Sequence, residues 1–255
     1  MKITEQTREF EKVDITYYTD PLCCWSWAFE PQWARLRQEF KGQIHWKYRM
    51  AGIIPDWKNY AEQCSCMFTP NLMSQTWQKA QQSSGMPFTE LLWDNNPPES
   101  SFPACIAVKC AELQNPLAGE MYLRMMREAA MMHGENISDE RVFIGIAMKL
   151  ALRAPSVFDL KLFEQALLNH TGLRLFRVDL EKVSSNNIVS FPTLVFSRPG
   201  QSSIRVEGYV SYEKLLQTMK EIAPDICPQY DARKKAQEMF SWNLTERECM
   251  ELSLK

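Results

Sequence analysis

The sequence predicts an α/β fold in which two strand-bearing halves, residues 1–50 and 173–222, flank a mostly helical insertion at 51–172, with a helical tail at 223–255. Three observations predict it. Residues 13–50 read as strand, helix and strand; segments of helical period dominate from Ala104 onward; and a strand, turn, strand and helix close the pattern at Ile222.

The first strand, 13–20, is rich in β-branched and aromatic residues, and Pro21 ends it. A helix follows from about Cys23 to Phe40. Trp27, Ala34, Leu36 and Phe40 lie on or near its inward face, and Gln32, Arg35, Arg37 and Glu39 supply the wet one. Pro31 removes one backbone bond inside that helix, so a kink is expected there. Residues 44–50 alternate and read as a second strand; a helical crossover makes the pair parallel. Glycine and proline punctuate 51–103. Helices are predicted at 104–113, 117–132, 139–152 and 159–172, the first started by Ser101 with Pro103 and the third capped by Ser138 or Asn136. Strand signals resume at 173–178, 193–197 and 203–207, the last two joined by the turn Arg198-Pro199-Gly200-Gln201. Residues 211–222 form an amphipathic helix. Two short helices are expected in the tail, the second capped by Thr245-x-x-Glu248.

The totals exclude several function classes. The 255 residues are 45% hydrophobic and 24% charged, with a net charge of -2, so no electrostatic footprint for nucleic acid exists. No polybasic block would hold the chain to a membrane. The stretch 142–152 is interrupted by Lys149 and too short to span one. Residues 1–14 carry no apolar signal core, and a cytoplasmic protein is expected. The eight cysteines at 23, 24, 64, 66, 105, 110, 227 and 249 are then expected to be mostly reduced and buried.

Asp20-Pro21-Leu22-Cys23-Cys24-Trp25-Ser26-Trp27 is the most informative stretch. A thiol in the first turn of a helix faces unpaired N–H groups and the positive dipole end. Both favour the thiolate, which is the form that attacks disulfides. Three positions on, where a resolving thiol would sit, the chain has Ser26. Cys23 can therefore attack a disulfide, but Ser26 cannot release the product; its hydroxyl could donate to the thiolate. Cys24 is a poor resolver, because adjacent Cα atoms lie about 3.8 Å apart, short of the roughly 4.4–6.8 Å of ordinary disulfides. Against this stands a bland reading of two small apolar residues at a helix start.

In Val189-Ser190-Phe191-Pro192-Thr193-Leu194-Val195-Phe196, a proline precedes a buried apolar strand. A cis bond there would turn the backbone outward at Ser190 and Phe191, an edge able to pair with an extended peptide. A trans proline that starts a strand is the commoner case.

Together these features resemble the DsbA-like branch of the thioredoxin superfamily over roughly residues 14–50 and 176–222, with the insertion between them. Asp20-Pro21-Leu22-Cys23 looks like the D-P-x-C opening of its FrnE-type and ClpXP-adaptor-type members. The resemblance implies a thioredoxin fold, Cys23 as nucleophile, Ser26 at the resolving position, Pro31 as the helix-kinking proline and a cis Pro192 facing Cys23. Ser100-Ser101-x-x-Ala104 loosely matches a segment that closes over the site in these proteins. The motif departs from the family's as Cys-x-x-Ser, which puts dithiol oxidase activity in doubt. Related kappa glutathione transferases and hydroxychromene carboxylate isomerases use glutathione instead.

The expected function is thiol–disulfide exchange or isomerisation through Cys23 with Ser26, and with Trp25, Ser190, Phe191 and Pro192 binding substrate. The partner would be a disulfide-bearing protein or peptide, or glutathione as a co-substrate, with no tightly bound cofactor. Alternatives are a peptide-holding adaptor of the same fold, and a glutathione-dependent transferase or isomerase with a deep pocket beside the insertion. Cys64-Ser65-Cys66 with Cys105 and Cys110 lacks paired zinc spacing, and His45, His133 and His170 are scattered. His45 reads as a satisfied structural histidine. The methionines 121, 125, 126, 131 and 132, and Trp57, Trp77 and Trp93, read mainly as core, and Arg233-Lys234-Lys235 as a solvated helix face.

Overall fold

The computed structural model describes residues 11–55, 69–229 and 242–254. The first tail helix, Trp57, Cys64, Cys66 and Arg233 to Lys235 lie outside them. Within the described residues the elements run β1 (Val13–Thr19), α1 (Cys24–Ala28), α2 (Glu30–Glu39), β2 (Ile44–Met50), α3 (Pro70–Ser84), α4 (Leu91–Asn95), α5 (Phe102–Glu112) and α6 (Pro116–Met131). They continue with α7 (Glu140–Arg153), α8 (Leu160–Leu168), α9 (Thr171–Ser185), β3 (Thr193–Ser197), β4 (Ile204–Glu207), α10 (Tyr212–Ile222) and α11 (Glu246–Ser253).

The strands form one sheet of order β2-β1-β3-β4. The β1–β2 pair is parallel, as a helical crossover requires, and the other two pairs are antiparallel. Val13, Ile15 and Tyr17 of β1 point to one face, where they pack with Phe29, Trp33, Leu36 and residues of α10. The insertion builds a second, larger core around Trp77, Trp93, Tyr122, Phe163 and Phe176, and Trp27 of α1 belongs to it. Helix α1 therefore sits where the two cores meet. Met121, Met126 and Met131 are buried, which fits the core reading of the methionine stripe.

Several sequence expectations need correction. The first long helix is two helices. It breaks at Phe29, and Pro31 falls in the first turn of α2, where its missing N–H costs least. The wet face assigned to Gln32, Arg35, Arg37 and Glu39 is buried. Arg35 pairs with Glu39 at 2.9 Å and with Glu251 of α11 at 3.0 Å, Arg37 pairs with Glu120 of α6, and the Tyr212 hydroxyl donates to Glu39 at 2.6 Å. These partners come from remote segments, so local periodicity could not reveal the burial.

The strand read at 173–178 is the interior of α9, so the second half of the sheet begins only at β3. Leu-Arg-Leu-Phe-Arg-Val satisfies alternation and helical spacing equally, and the packing of Gly172, Phe176 and Asp179 decides for helix. The cap of α7 is Asp139, whose side chain accepts from the Arg141 N–H, rather than Ser138 or Asn136. His45 lies on β2 but is exposed, beside Asp14 at 3.7 Å. Helix α3, in the stretch read as loop-rich, is capped by Thr69 and ended by Gly85 at φ 71°. The capping box Thr245–Glu248 starts α11 as expected.

Gly172 sets how closely α9 can approach α5. A Cβ there would lie 2.2 Å from the Cys110 sulfur and 2.9 Å from the Ile106 carbonyl oxygen. Gly172→Ala should therefore cost about 1–3 kcal/mol through overpacking. A urea midpoint will check it, and Cys110→Ala added to the variant should recover part of the loss.

Candidate functional site

The turn from β1 into α1 is fastened by one carboxylate. Asp20 is fully buried; its Oδ1 accepts the Leu22 N–H at 2.8 Å, and its Oδ2 accepts the Ile53 N–H at 2.9 Å and the Ser101 hydroxyl at 2.8 Å. The Cys105 thiol also donates to Oδ2, at 3.3 Å. The Asp20 and Ser101 motifs, read separately in the sequence, thus meet in one hydrogen bond. The Asp20 carbonyl in turn accepts the Cys23 N–H at 3.1 Å, which fixes the entry to the helix.

Cys23 is the N-cap of α1. Its backbone is extended and its sulfur accepts the Ser26 N–H at 3.4 Å. The Ser26 hydroxyl, expected to donate to that sulfur, has no hydrogen bond of normal geometry in this state. Cys23 is 5% exposed, and burial pushes its thiol above the ordinary value. The Ser26 hydroxyl and N–H pull the other way; the Asp20 charge adds to the rise and Arg127 opposes it. The expected thiolate preference therefore fails in the resting state, for two physical reasons. Helix α1 is only five residues long, so its dipole is weak, and the sulfur is shielded from water. Cys24 is buried in the insertion core and its thiol is pushed well up by the same cause.

The second stretch comes to the same end of the sheet. Tyr18 pairs with Thr193, so Pro192 stands one step further along, beside the strand end that leads into Cys23. The Phe191–Pro192 bond is cis. The Pro192 carbonyl accepts the Gly208 N–H at 2.7 Å, and the Ser190 carbonyl accepts the Thr193 hydroxyl at 2.6 Å. Phe191 keeps both backbone groups without a hydrogen bond among the described residues. Tyr209, next to Gly208, puts its ring 5.9 Å from that of Trp25 and its hydroxyl 3.1 Å from the Gln32 amide. Of the residues singled out in the sequence, Cys23, Trp25, Ser26, Ser190, Phe191 and Pro192 thus share one end of the sheet. Tyr209 was missed; its only sequence signal is an aromatic side chain directly after the glycine that ends β4.

Beneath this end lies a charged layer that the sequence did not reveal. Arg127 of α6 is 1% exposed and donates to Glu30 of α2 and to the Thr19 hydroxyl. Arg124 holds Glu248 of α11 with bonds of 2.6 and 2.9 Å, and lies 3.8 Å from Glu30. Burial pushes the Glu30 carboxyl up, against the pull of Arg127 and Arg124.

Among the described residues, no group of three or more His, Cys, Asp or Glu could hold a metal ion. Nor is any helix long and apolar enough to cross a membrane. A cavity of about 370 Å³ lies elsewhere, along β2 between His45 and Tyr48 and the facing ends of α5 and α6.

Comparison with known proteins agrees with this geometry. A family described as thioredoxin matches residues 17–217. The ClpXP adapter protein SpxH of Halalkalibacterium halodurans is 26% identical over 220 residues, spanning 86% of this chain and 70% of its own. The cytosolic disulfide reductase DsbM from Pseudomonas aeruginosa superposes with a TM-score of 0.59 at 18% identity, over 82% of this chain and 98% of that one. A probable DsbA oxidoreductase from Streptomyces coelicolor does so with a TM-score of 0.63 at 12% identity, over 85% and 92%. The chain belongs to the thioredoxin family, with a DsbA-like fold and sequence similarity to the SpxH adapter.

Proposed function

We propose that the protein forms mixed disulfides through Cys23 with a disulfide-bearing protein or peptide, or with glutathione, held in extended form beside Ser190, Phe191 and Pro192. The observation that carries this reading is the unpaired backbone of Phe191 at the sheet end that leads into Cys23, with Trp25 and Tyr209 as an apolar wall. The Cys23 sulfur would attack one sulfur of the disulfide, and the other would leave as a thiolate. Ser26 carries no thiol to complete an internal disulfide, so a second thiol must attack the mixed disulfide and regenerate Cys23. Glutathione fits that part as a co-substrate rather than a bound cofactor. Such a site suits reduction of mixed disulfides or isomerisation better than net oxidation.

A raised thiol value gives a definite pH dependence. Below it the reactive thiolate is a minor form, so the rate should climb about tenfold per pH unit from pH 7 and still be climbing at pH 9. Incubation with oxidised glutathione, followed by mass analysis of the Cys23 peptide, should give a glutathionyl adduct with this profile that dithiothreitol removes. Cys23→Ala should give none at that peptide. A Cys23 that stays unmodified across the whole pH range would end the reading.

A second reading, an adaptor that holds a protein partner without thiol chemistry, is favoured by the adapter relatives and by the burial of Cys23. It predicts that Cys23→Ala binds ClpXP, or a ClpXP substrate, as tightly as the parent does. Loss of that binding in the variant would count against it.

A further inference from the structure

Two buried hydroxyls, those of Ser26 and Tyr17, make no hydrogen bond of normal geometry, although Ser26 lies within reach of both Tyr17 and the Cys23 sulfur. Neither belongs to the apolar packing around it. Tyr17 is fully buried in the middle of β1, on the face that α2 covers. Its ring is locked edge-on to Phe29 at 6.2 Å and Trp33 at 5.3 Å, and lies 5.4 Å from Tyr48. Phenylalanine would fill that slot equally well. A buried hydroxyl without a well-formed bond is costly, so its presence calls for a second state in which it is used.

We propose that Tyr17 is a positioning residue of the Cys23 site, its hydroxyl donating to the Ser26 hydroxyl, which in turn donates to the Cys23 sulfur anion. This rests on the thiol reading above. A neutral thiol is a weak acceptor and offers the pair little, whereas a thiolate accepts strongly. The two hydroxyls are therefore loosely placed at rest and drawn into line when Cys23 ionises. Ser26 already acts on both Cys23 and Tyr17 in the direction that favours their anions, and burial keeps the Tyr17 proton in place. The other charged or titratable groups facing the sulfur are accounted for. Arg127 from α6 favours the anion, Asp20 in the preceding turn opposes it, Cys24 is the adjacent thiol, and Glu30 of α2 is engaged by Arg127.

The test is the rate of Cys23 alkylation by iodoacetamide as a function of pH, read at the Cys23 peptide by mass spectrometry. Tyr17→Phe keeps the ring and its packing. It should slow alkylation at pH 8.5 about tenfold, with the profile displaced to higher pH. Ser26→Ala should slow it at least as much, and the double variant should be no slower than Ser26→Ala alone, because a chain broken at either link is broken. A Tyr17→Phe protein that reacts at the parent's rate and with its profile would overturn the proposal while leaving the thiol reading intact. Independent, multiplying effects in the double variant would also overturn it. An inert Cys23 in the parent would overturn the thiol reading and this proposal with it.

Discussion

Arg124→Ala is expected to lower stability by about 3–5 kcal/mol, because it breaks a buried ion pair and strands the partner carboxylates. Arg124 is 3% exposed and bonds Glu248 through two nitrogens, at 2.6 and 2.9 Å, with Glu128 at 2.7 Å and the Trp27 ring 4.7 Å beneath it. Glu248 is itself fully buried, so it loses a charge partner that water cannot replace. The loss should be local first. Amide exchange in α11 should rise before that of the sheet does, because Glu248 is one of its anchors, leaving the Arg35–Glu251 pair and the Arg247 bond to the Ser84 carbonyl to hold it. Urea denaturation and amide exchange together check the result. If the variant keeps the parent's midpoint, the ion pair is not what clamps α11.

Asp20→Ala is the second large effect, and it separates the fold from the chemistry. The substitution leaves the Leu22 and Ile53 N–H groups and the Ser101 hydroxyl without their acceptor in a buried turn. At about 1–3 kcal/mol for each stranded group, and with some relaxation, a loss of about 3–5 kcal/mol is expected. Asp20→Asn should be milder, since its carbonyl oxygen still accepts, although its amide cannot accept from the other donors. Asp20 also raises the Cys23 thiol, so the surviving folded fraction of Asp20→Asn should alkylate at Cys23 faster than the parent at the same pH. A slower reaction would mean that the entry to α1 had shifted rather than its field.

Much of this was legible in the chain, and the rest was not for identifiable reasons. Strands β1, β2 and β3 declare themselves by β-branched and aromatic alternation, and the capping box of α11 by two residues. Cys23 and Pro192 could be read because each lies next to a break in local structure. Tyr17 and Arg127 could not, since a tyrosine within a strand and an arginine within a helix look ordinary until remote neighbours strip away their water. The reversal of the Cys23 expectation has the same origin. Proximity to a helix start is a local property, whereas exposure to solvent is decided by the whole fold. The misread face of α2 repeats the lesson, because Arg35 and Arg37 are covered by segments far along the chain.

The clasp of α11 over α2 also bears on how the molecule reaches its native state. Arg35 and Glu251 are 216 positions apart, and Arg124 and Glu248 are 124 apart, so these contacts close very long loops. Loop closure of that span is an entropic toll levied before any reward arrives, which places such pairings late in folding. Until they form, the charged side of α2 stays hydrated, and that helix has only the sheet as a wall. Refolding should therefore gain the sheet and the environment of Trp33 before α11 docks, and late amide protection in α11 would mark the final step.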